Sequence, residues 1–369
     1  MPQIEEVINS SVKKHIYVIE WLTPDEQVID EVTVDVVGGS VNFDGNKSNR
    51  RSMDITLKNL NGEYIPHPDK LWINHKFKLK SGYEYGDGEK LLFSQGIYCL
   101  GNPSILSSPT KKEVTLQGID KWGLLDGTLS GKLKNKLIIP VDTRIDTAIR
   151  SLLVDIVGET KFRVDICDTK LPYTVEVEAG TTVSSIVEEI AYIVSFETFY
   201  DNEGVFIFRK FLEIEEYEKT VPLWEYKTEG LYLKSNRELT FDKVKNYIMV
   251  IGDTLDDGTL IYATAKDESN SDMSIGKIGE RFDRIEDNNI TTMSLAQQRA
   301  DWELQQVIMV AETVRVSIMP NFSHKVGDII SVYDKNNGTE GNYLIQSYNY
   351  NIAYDAMMSI GLWKIRDWR

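Results

Sequence analysis

At 369 residues the chain exceeds one average domain and falls short of three large ones, and its 41% hydrophobic content is enough for sizeable cores. A formal charge of −16 opposes binding to nucleic-acid phosphates, which relies on Lys and Arg displacing counterions, so no sequence-specific DNA or RNA binding is expected. No apolar run approaches the roughly 20 residues of a membrane helix, and the N-terminus MPQIEEVINSS is acidic without an apolar stretch, so neither stable membrane insertion nor a signal peptide is expected. The acidity reads first as solubility. Cys99 and Cys167 are too few for a disulfide framework and lack zinc spacing, so both read as small buried hydrophobes.

The first third predicts an all-β unit. Residues 14–21 (KHIYVIEW), 31–37 (EVTVDVV), 52–57 (SMDITL), 76–80 (KFKLK), 91–100 (LLFSQGIYCL) and 113–118 (EVTLQG) are short, mostly alternating, and separated by Gly, Pro, Asn and Asp turns. Such spacing predicts a barrel or sandwich. The period then changes. Residues 144–157 place Ile145, Ala148, Ile149, Leu152, Leu153, Ile156 and Val157 on one helical face, with a capping box predicted at Thr143 and Asp146 and a stop at Gly158. A strand is predicted at 161–166 and a second helix over 182–194, with Val183, Ile186, Val187, Ile190, Ala191 and Val194 in its stripe. The stretch FETFYDNEGVFIF (196–208) follows as a hairpin turning on Asp201, Asn202 and Gly204, with no evident local role for Glu203.

The last part returns to β. An acidic bridge (213–218) leads to a strand at 245–252, a mobile loop at 265–287, and an amphipathic helix over 294–311 with Ala296, Ala300, Leu304, Val307, Ile308 and Ala311 facing inward. Strands follow at 312–319, 328–333, 343–352 and 356–364. There is no internal repeat and no low-complexity segment. The fold class expected is mainly β with an α+β insertion: a barrel-like unit at 1–130, a small α+β unit at 131–212, and a second barrel-like unit at 213–369.

The search for chemistry yields no catalytic, cofactor-binding or metal residues. His15, His67, His75 and His324 lack metal spacing and read as surface or rim positions. The segment Gly127–Leu133 has one residue too few between its glycines, and Leu133 stands where a phosphate-binding loop needs a hydroxyl. Gly86-Asp-Gly88 lacks a strand–turn–helix setting. The segments 253–258 and 334–338 have the wrong spacing for calcium and read as hairpin turns. Arg50-Arg51, the one adjacent arginine pair, reads first as a solvated face at a strand entrance, with a salt bridge to a neighbouring subunit as the alternative.

Three segments in order carry a resemblance: Gly39 through Leu57 on to Pro66; the helix and hairpin from Ala179 to Phe208; and Ala296-Gln-Gln-Arg-Ala-Asp-Trp302 followed by 314–320 and 324–332. Together they resemble the baseplate hub proteins of phage tails and phage-like contractile particles, over nearly the whole chain. That resemblance implies a non-enzymatic structural protein of a virion or phage-like particle, made in a bacterial cytoplasm and needing no cofactor. It implies a homotrimer whose subunits each supply two barrel-like ring domains, so that three copies match a six-fold tail tube above to a three-fold spike or tail-tip protein below. Other baseplate proteins and the tape measure protein are the further implied partners. Edge strands are expected to pack against the next subunit over an interface larger than about 2,000 Å². By the same analogy, a chain ending near Trp368-Arg369 leaves the spike to a separate protein and favours a contractile particle over a flexible tail. The rival readings are a receptor- or carbohydrate-binding tail protein, which needs a groove of exposed Trp and Tyr, and a cell-wall hydrolase with a carboxylate pair distant in sequence.

Overall fold

The computed structural model describes residues 2–10, 13–33, 35–68, 71–211, 214–227, 232–255, 257–310, 312–353 and 355–365. Helix α1 (Pro2–Asn9) precedes β1 (Lys13–Leu22), β2 (Val28–Val32), β3 (Val36–Asp44), β4 (Arg51–Lys58), β5 (Lys76–Tyr85), β6 (Glu89–Leu100), β7 (Ser104–Ser107) and β8 (Lys112–Asp120). A 3₁₀ turn (Lys121–Leu124) leads into β9 (Leu137–Ile139), α2 (Ile145–Ser151), β10 (Phe162–Val164), β11 (Val175–Val177), α3 (Val183–Ile193), β12 (Phe196–Tyr200) and β13 (Phe206–Lys210). The rest comprises α4 (Ile214–Lys219), β14 (Trp224–Lys227), β15 (Tyr232–Leu239), β16 (Tyr247–Thr254), β17 (Leu260–Lys266), α5 (Ile275–Ile278), β18 (Phe282–Glu286), α6 (Met293–Val310), β19 (Glu312–Ile318), β20 (Ile329–Asp334), β21 (Thr339–Asn351) and β22 (Met358–Lys364). The chain is thus mainly β with an α+β insertion, as expected.

One 14-stranded sheet dominates, in the order β15-β19-β22-β21-β3-β4-β8-β6-β5-β1-β2, with β7 beside β8 and β14-β20 branching from β21. Its two halves meet at β3 and β21, which pair antiparallel from Ser40–Asn351 to Asp44–Ser347. Strand β4 shows why these residues make strand: its burial alternates at every step, with Arg51, Met53, Ile55 and Leu57 inside and their neighbours outside. The resulting apolar cluster joins Val41, Phe43, Met53 and Phe77 to Val316, Tyr348, Tyr350 and Ile360, so residues from both ends of the chain share one core. Phe43 stacks on Tyr348 at 4.2 Å between centroids, and Ser81 Oγ lies 2.9 Å from the Tyr350 hydroxyl. A second core lies between α2, α3 and the sheet β10-β13-β12, and shares no described residue with the first. A third is formed where α6 covers the sheet β17-β16-β18.

Several expectations need correction. The run 31–37 is two strands: Val32 pairs with Ile19, Val36 with Leu57. The chain turns between them at Asp35, whose carboxylate accepts the Tyr64 hydroxyl at 2.6 Å. The capping box is absent because the Thr143 hydroxyl donates to the Pro140 carbonyl (2.7 Å), while Asp146 accepts from the Arg144 guanidinium at 3.0 and 2.8 Å. The last turn of that helix, Leu152–Val157, widens to a π-turn, which rotates Ile156 out to 39% exposure before Gly158 closes it in the left-handed region (φ 77°). The segment 265–287 is not one loop: β17 runs to Lys266, α5 occupies Ile275–Ile278, and β18 pairs parallel with β16. Its Ser- and Asp-rich part is a turn wound on Asp267, whose carboxylate accepts the Ser269 (2.6 Å) and Ser271 (2.7 Å) hydroxyls. Most of the expected acidic bridge is α4. Glu213 and Ala311, each at the end of a predicted segment, Asp256 in the 253–258 turn, and Trp368 and Arg369 lie outside the described residues.

Packing is tightest where β8 crosses the first core. A β-carbon on Gly118 would lie 2.5 Å from Met53 Cγ and 3.0 Å from both Phe77 Cζ and Tyr98 Cδ1. Gly118→Val is expected to cost about 1–3 kcal/mol through overpacking, read as a lower unfolding midpoint in denaturant. Gly276, with open space around its would-be β-carbon, provides the contrast: Gly276→Ala leaves the midpoint nearly unchanged.

Candidate functional site

The hairpin β12–β13 brings the α+β unit onto the first β unit through charge. Asp201 sets the turn, its Oδ1 accepting the amides of Glu203 (2.9 Å) and Val205 (3.0 Å). Gly204 adopts φ 72° and lies so close to Ile97 that a β-carbon would approach its Cδ1 at 2.9 Å, so only glycine fits this docking. Arg51, buried at the start of β4, donates to the Tyr200 carbonyl, to Asn202 Oδ1 (2.8 Å) and to Asp120 Oδ2 (3.2 Å). Arg50 donates to Glu197 Oε2 at 2.6 Å and lies 3.5 Å from the centroid of Phe199, while Arg209 takes Glu197 Oε1 at 2.6 Å. Asn202 and Ser94 exchange two further bonds, Ser94 Oγ to the Asn202 carbonyl (2.7 Å) and Asn202 Nδ2 to the Ser94 carbonyl (3.1 Å).

Beneath the turn sits Lys121, fully buried. Its ammonium donates to the Gly204 carbonyl at 2.8 Å and pairs with Glu26 Oε1 at 2.7 Å and Glu159 Oε2 at 2.9 Å. Glu26 also meets Lys76 (2.8 Å) and Lys161 (2.7 Å), and Glu159 accepts the Tyr200 hydroxyl at 3.0 Å. Glu26 holds φ at 62°, a strained setting for a side chain other than glycine's, in the β1–β2 turn that carries it into the cluster. Burial alone would raise its pKa, but attraction to Lys121 and hydrogen bonds from Lys121, Lys161 and Lys76 outweigh that and hold it at about 2. Carboxylates neutralised in this way, out of contact with water, form a joint between units.

This joint corrects three sequence readings. Arg50 and Arg51 are not a solvated face; both are buried, and they bind the hairpin of their own chain. Glu203, without a local role, pairs with Lys78 at 2.6 Å. His15 and His324 are not at the surface: each is buried, and His324 Nε2 lies 2.7 Å from the Tyr226 hydroxyl, with burial pulling its pKa down to about 3 so that it stays neutral. His67 is exposed and His75 half-buried. Cys99 and Cys167 are buried free thiols, burial pushing that of Cys99 up to about 12. The glycine pair 86/88 turns β5 into β6, the segment 334–338 turns β20 into β21, and 253–258 joins β16 to β17. Among the described residues, no group of three or more His, Cys, Asp or Glu side chains is placed to hold a metal.

The second feature is the set of open strands. In the order above, β2 and β15 are the terminal strands of the large sheet, and β7 forms a further edge beyond β8. Val28 and Ile29 on β2 and Ile105 and Leu106 on β7 are about half exposed. The sequence reading gives no strand at β7 and only the last two residues of β2, because each is short and offers too few alternating positions.

The fold built on this arrangement recurs in tail proteins. A tail protein from Neisseria meningitidis MC58 superposes with a TM-score of 0.64 at 12% identity, over 95% of this chain and 98% of that one. The 43 kDa tail protein of prophage MuSo2 from Shewanella oneidensis gives 0.63 at 13%, over 94% and 98%. An E. coli protein described as a component of the type VI secretion system, with structural similarity to T4 bacteriophage tail proteins, gives 0.52 at 10%, over 89% and 73%. No protein-family model matches the sequence, and no curated protein does. The chain shares the fold of these tail and secretion-system proteins.

Two outcomes check the joint. Lys121→Met leaves buried Glu159 without its cation, while Glu26 keeps Lys76 and Lys161, and is expected to cost about 3–5 kcal/mol, whereas adding Glu159→Gln to it recovers most of the loss in urea unfolding. Glu26 has a folded pKa of about 2 against a usual 4.5. Its contribution is therefore complete above pH 4.5 and disappears as pH falls through about 2. In Glu26→Gln the fall in unfolding midpoint across that window becomes shallower than in the parent.

Proposed function

We propose that this chain is a structural, non-enzymatic subunit of a phage or phage-like tail: the homotrimeric baseplate hub that adapts a six-fold tail tube to a three-fold spike. The observation that carries this reading is the make-up of the large sheet. Two antiparallel runs lie side by side across the β3–β21 pair: β21-β22-β19-β15 from the last part of the chain, with β20 and β14 branching from β21, and β3-β4-β8-β6-β5-β1-β2 from the first. A subunit offering two such runs supplies six from three copies, which is what a six-fold neighbour requires. The division into ring units at 1–130 and 213–369, with the α+β unit at 131–212 outside the ring, accords with this arrangement.

The open edges β2, β7 and β15 then belong to ring contacts, where pairing with the next copy protects them from aggregation. The joint fixes the α+β unit at a set angle to the ring. The tube protein above, a spike or tail-tip protein below and further baseplate proteins are the partners on this reading, and the particle's tail is its location. Because three copies multiply a charge of −16, an acidic channel wall would repel passing DNA rather than hold it.

Native mass spectrometry of the purified full chain tests this. Three copies of the 42.2 kDa chain are expected. A monomer that persists in the presence of the particle's tube protein would overturn the reading, as would clearing of a peptidoglycan gel by the pure protein.

A further inference from the structure

The small sheet β17-β16-β18 has one face under α6 and one face open. Ile248, Val250, Ile261, Ala263 and Ala265 are buried against Ala296, Ala300, Leu304 and Ile308 of the helix. Because side chains alternate along a strand, the residues between them stand on the other face. These are Tyr247, Met249 and Ile251 on β16, Leu260 and Tyr262 on β17, and Phe282 on β18, with Tyr247 opposite Phe282 and Ile251 opposite Tyr262. Tyr262, Phe282 and Leu260 are 49%, 46% and 44% exposed. A sheet face turned to water is ordinarily polar; a contiguous apolar one marks an interaction surface.

The charge around it points to the occupant. Lys266 and Arg284 lie on this face, with the Lys266 ammonium 4.2 Å from the Tyr247 centroid, and Lys245, just before β16, donates to the Phe282 carbonyl at 3.3 Å. Glu286 answers Arg284, and Glu280 stands 4.0 Å from Lys266. Lys245, Lys266 and Arg284 exceed Glu280 and Glu286 by one at this face, a local positive excess on a chain of net −16. An acidic partner is therefore attracted here, whereas a second copy presenting the same face would set these cations against their own kind.

We propose that the open face of this sheet binds a polypeptide segment of another protein, carrying apolar residues flanked by carboxylates. A sugar fits less well. Tyr247 and Phe282 meet edge to face (75°, 5.1 Å between centroids), so they form no coplanar platform, and Met249, Ile251 and Leu260 make half of the apolar surface aliphatic.

The test titrates the full chain with three probes: a peptide of alternating Glu and Val, the matched peptide of alternating Lys and Val, and a chitin oligosaccharide. The Glu/Val peptide is expected to bind at low salt at least about tenfold more tightly than the Lys/Val peptide, and to weaken as salt rises. Tyr262→Ser with Phe282→Ser should weaken it about tenfold or more. Lys266→Glu with Arg284→Glu should reverse the peptide preference while leaving oligomeric state and thermal unfolding unchanged. Equal affinity for both peptides, binding of the saccharide alone, self-association abolished by Tyr262→Ser, or no binding to any probe would each overturn the inference. The three probe results leave the trimer untouched, because it is measured without the probes; only the self-association result concerns oligomeric state.

Discussion

The pairing of β3 with β21 is the constraint on which the molecule depends. It joins residues 40–44 to residues 347–351, so about 300 residues of chain must be accommodated between two adjacent strands. Closing a loop that long costs only modestly more entropy than a short one. The pairing in return gives the first and last parts of the chain a common core, seen in Phe43 on Tyr348 and in Ser81 beside Tyr350. Everything between has to leave the sheet and return to it. The α+β unit is therefore an excursion with its own core, and α6 with its small sheet is a second layer outside the first.

The connection between the main sheet and this excursion is largely polar. The two apolar cores share no described residue, and the contact between them is made by Arg50, Arg51, Lys121, Glu26, Glu159 and the hairpin carbonyls, with the Ser94–Asn202 hydrogen bonds and Gly204 against Ile97 beside them. Buried pairs of this kind add little net stability over an apolar contact, but they are costly to misalign. A joint of this chemistry fixes orientation more strictly than it fixes affinity. That property suits a part whose place in an assembly is set by angle.

What was legible in the sequence follows from where each signal lies along the chain. SMDITL alternates at the period of a strand and forms β4, whereas KHIYVIEW, with its apolar run Ile16–Ile19, forms β1, buried on both faces from His15 to Ile19. The stripe of α3, capped by Thr182, was equally plain, its hydroxyl accepting the Ser185 amide. Strands β15 (YLKSNREL) and β18 (FDRIE) are polar because they are edges, and no periodicity separates an edge strand from a loop. The joint is harder still: residues 26, 51, 121, 159 and 200 come together only in three dimensions. Its local traces were an adjacent arginine pair at a strand entrance and a glutamate left over in a turn. Both are visible, but the arginine pair reads as a solvated face because surface charge is the commoner fate, and the glutamate has no evident local role. His15 and His324 were misplaced for the same reason.

The central claim is that two runs of strands in one chain, one from its first part and one from its last, let three copies meet a six-fold tube. A cryo-electron microscopy map of the full chain bound to the tail tube protein of its particle tests it most directly. The account predicts a ring of three chains in which the runs β21-β22-β19-β15 and β3-β4-β8-β6-β5-β1-β2 alternate as six similar units beneath the tube. A ring of six chains, or a chain attached at the tube's periphery with its large sheet outside the channel wall, would contradict it.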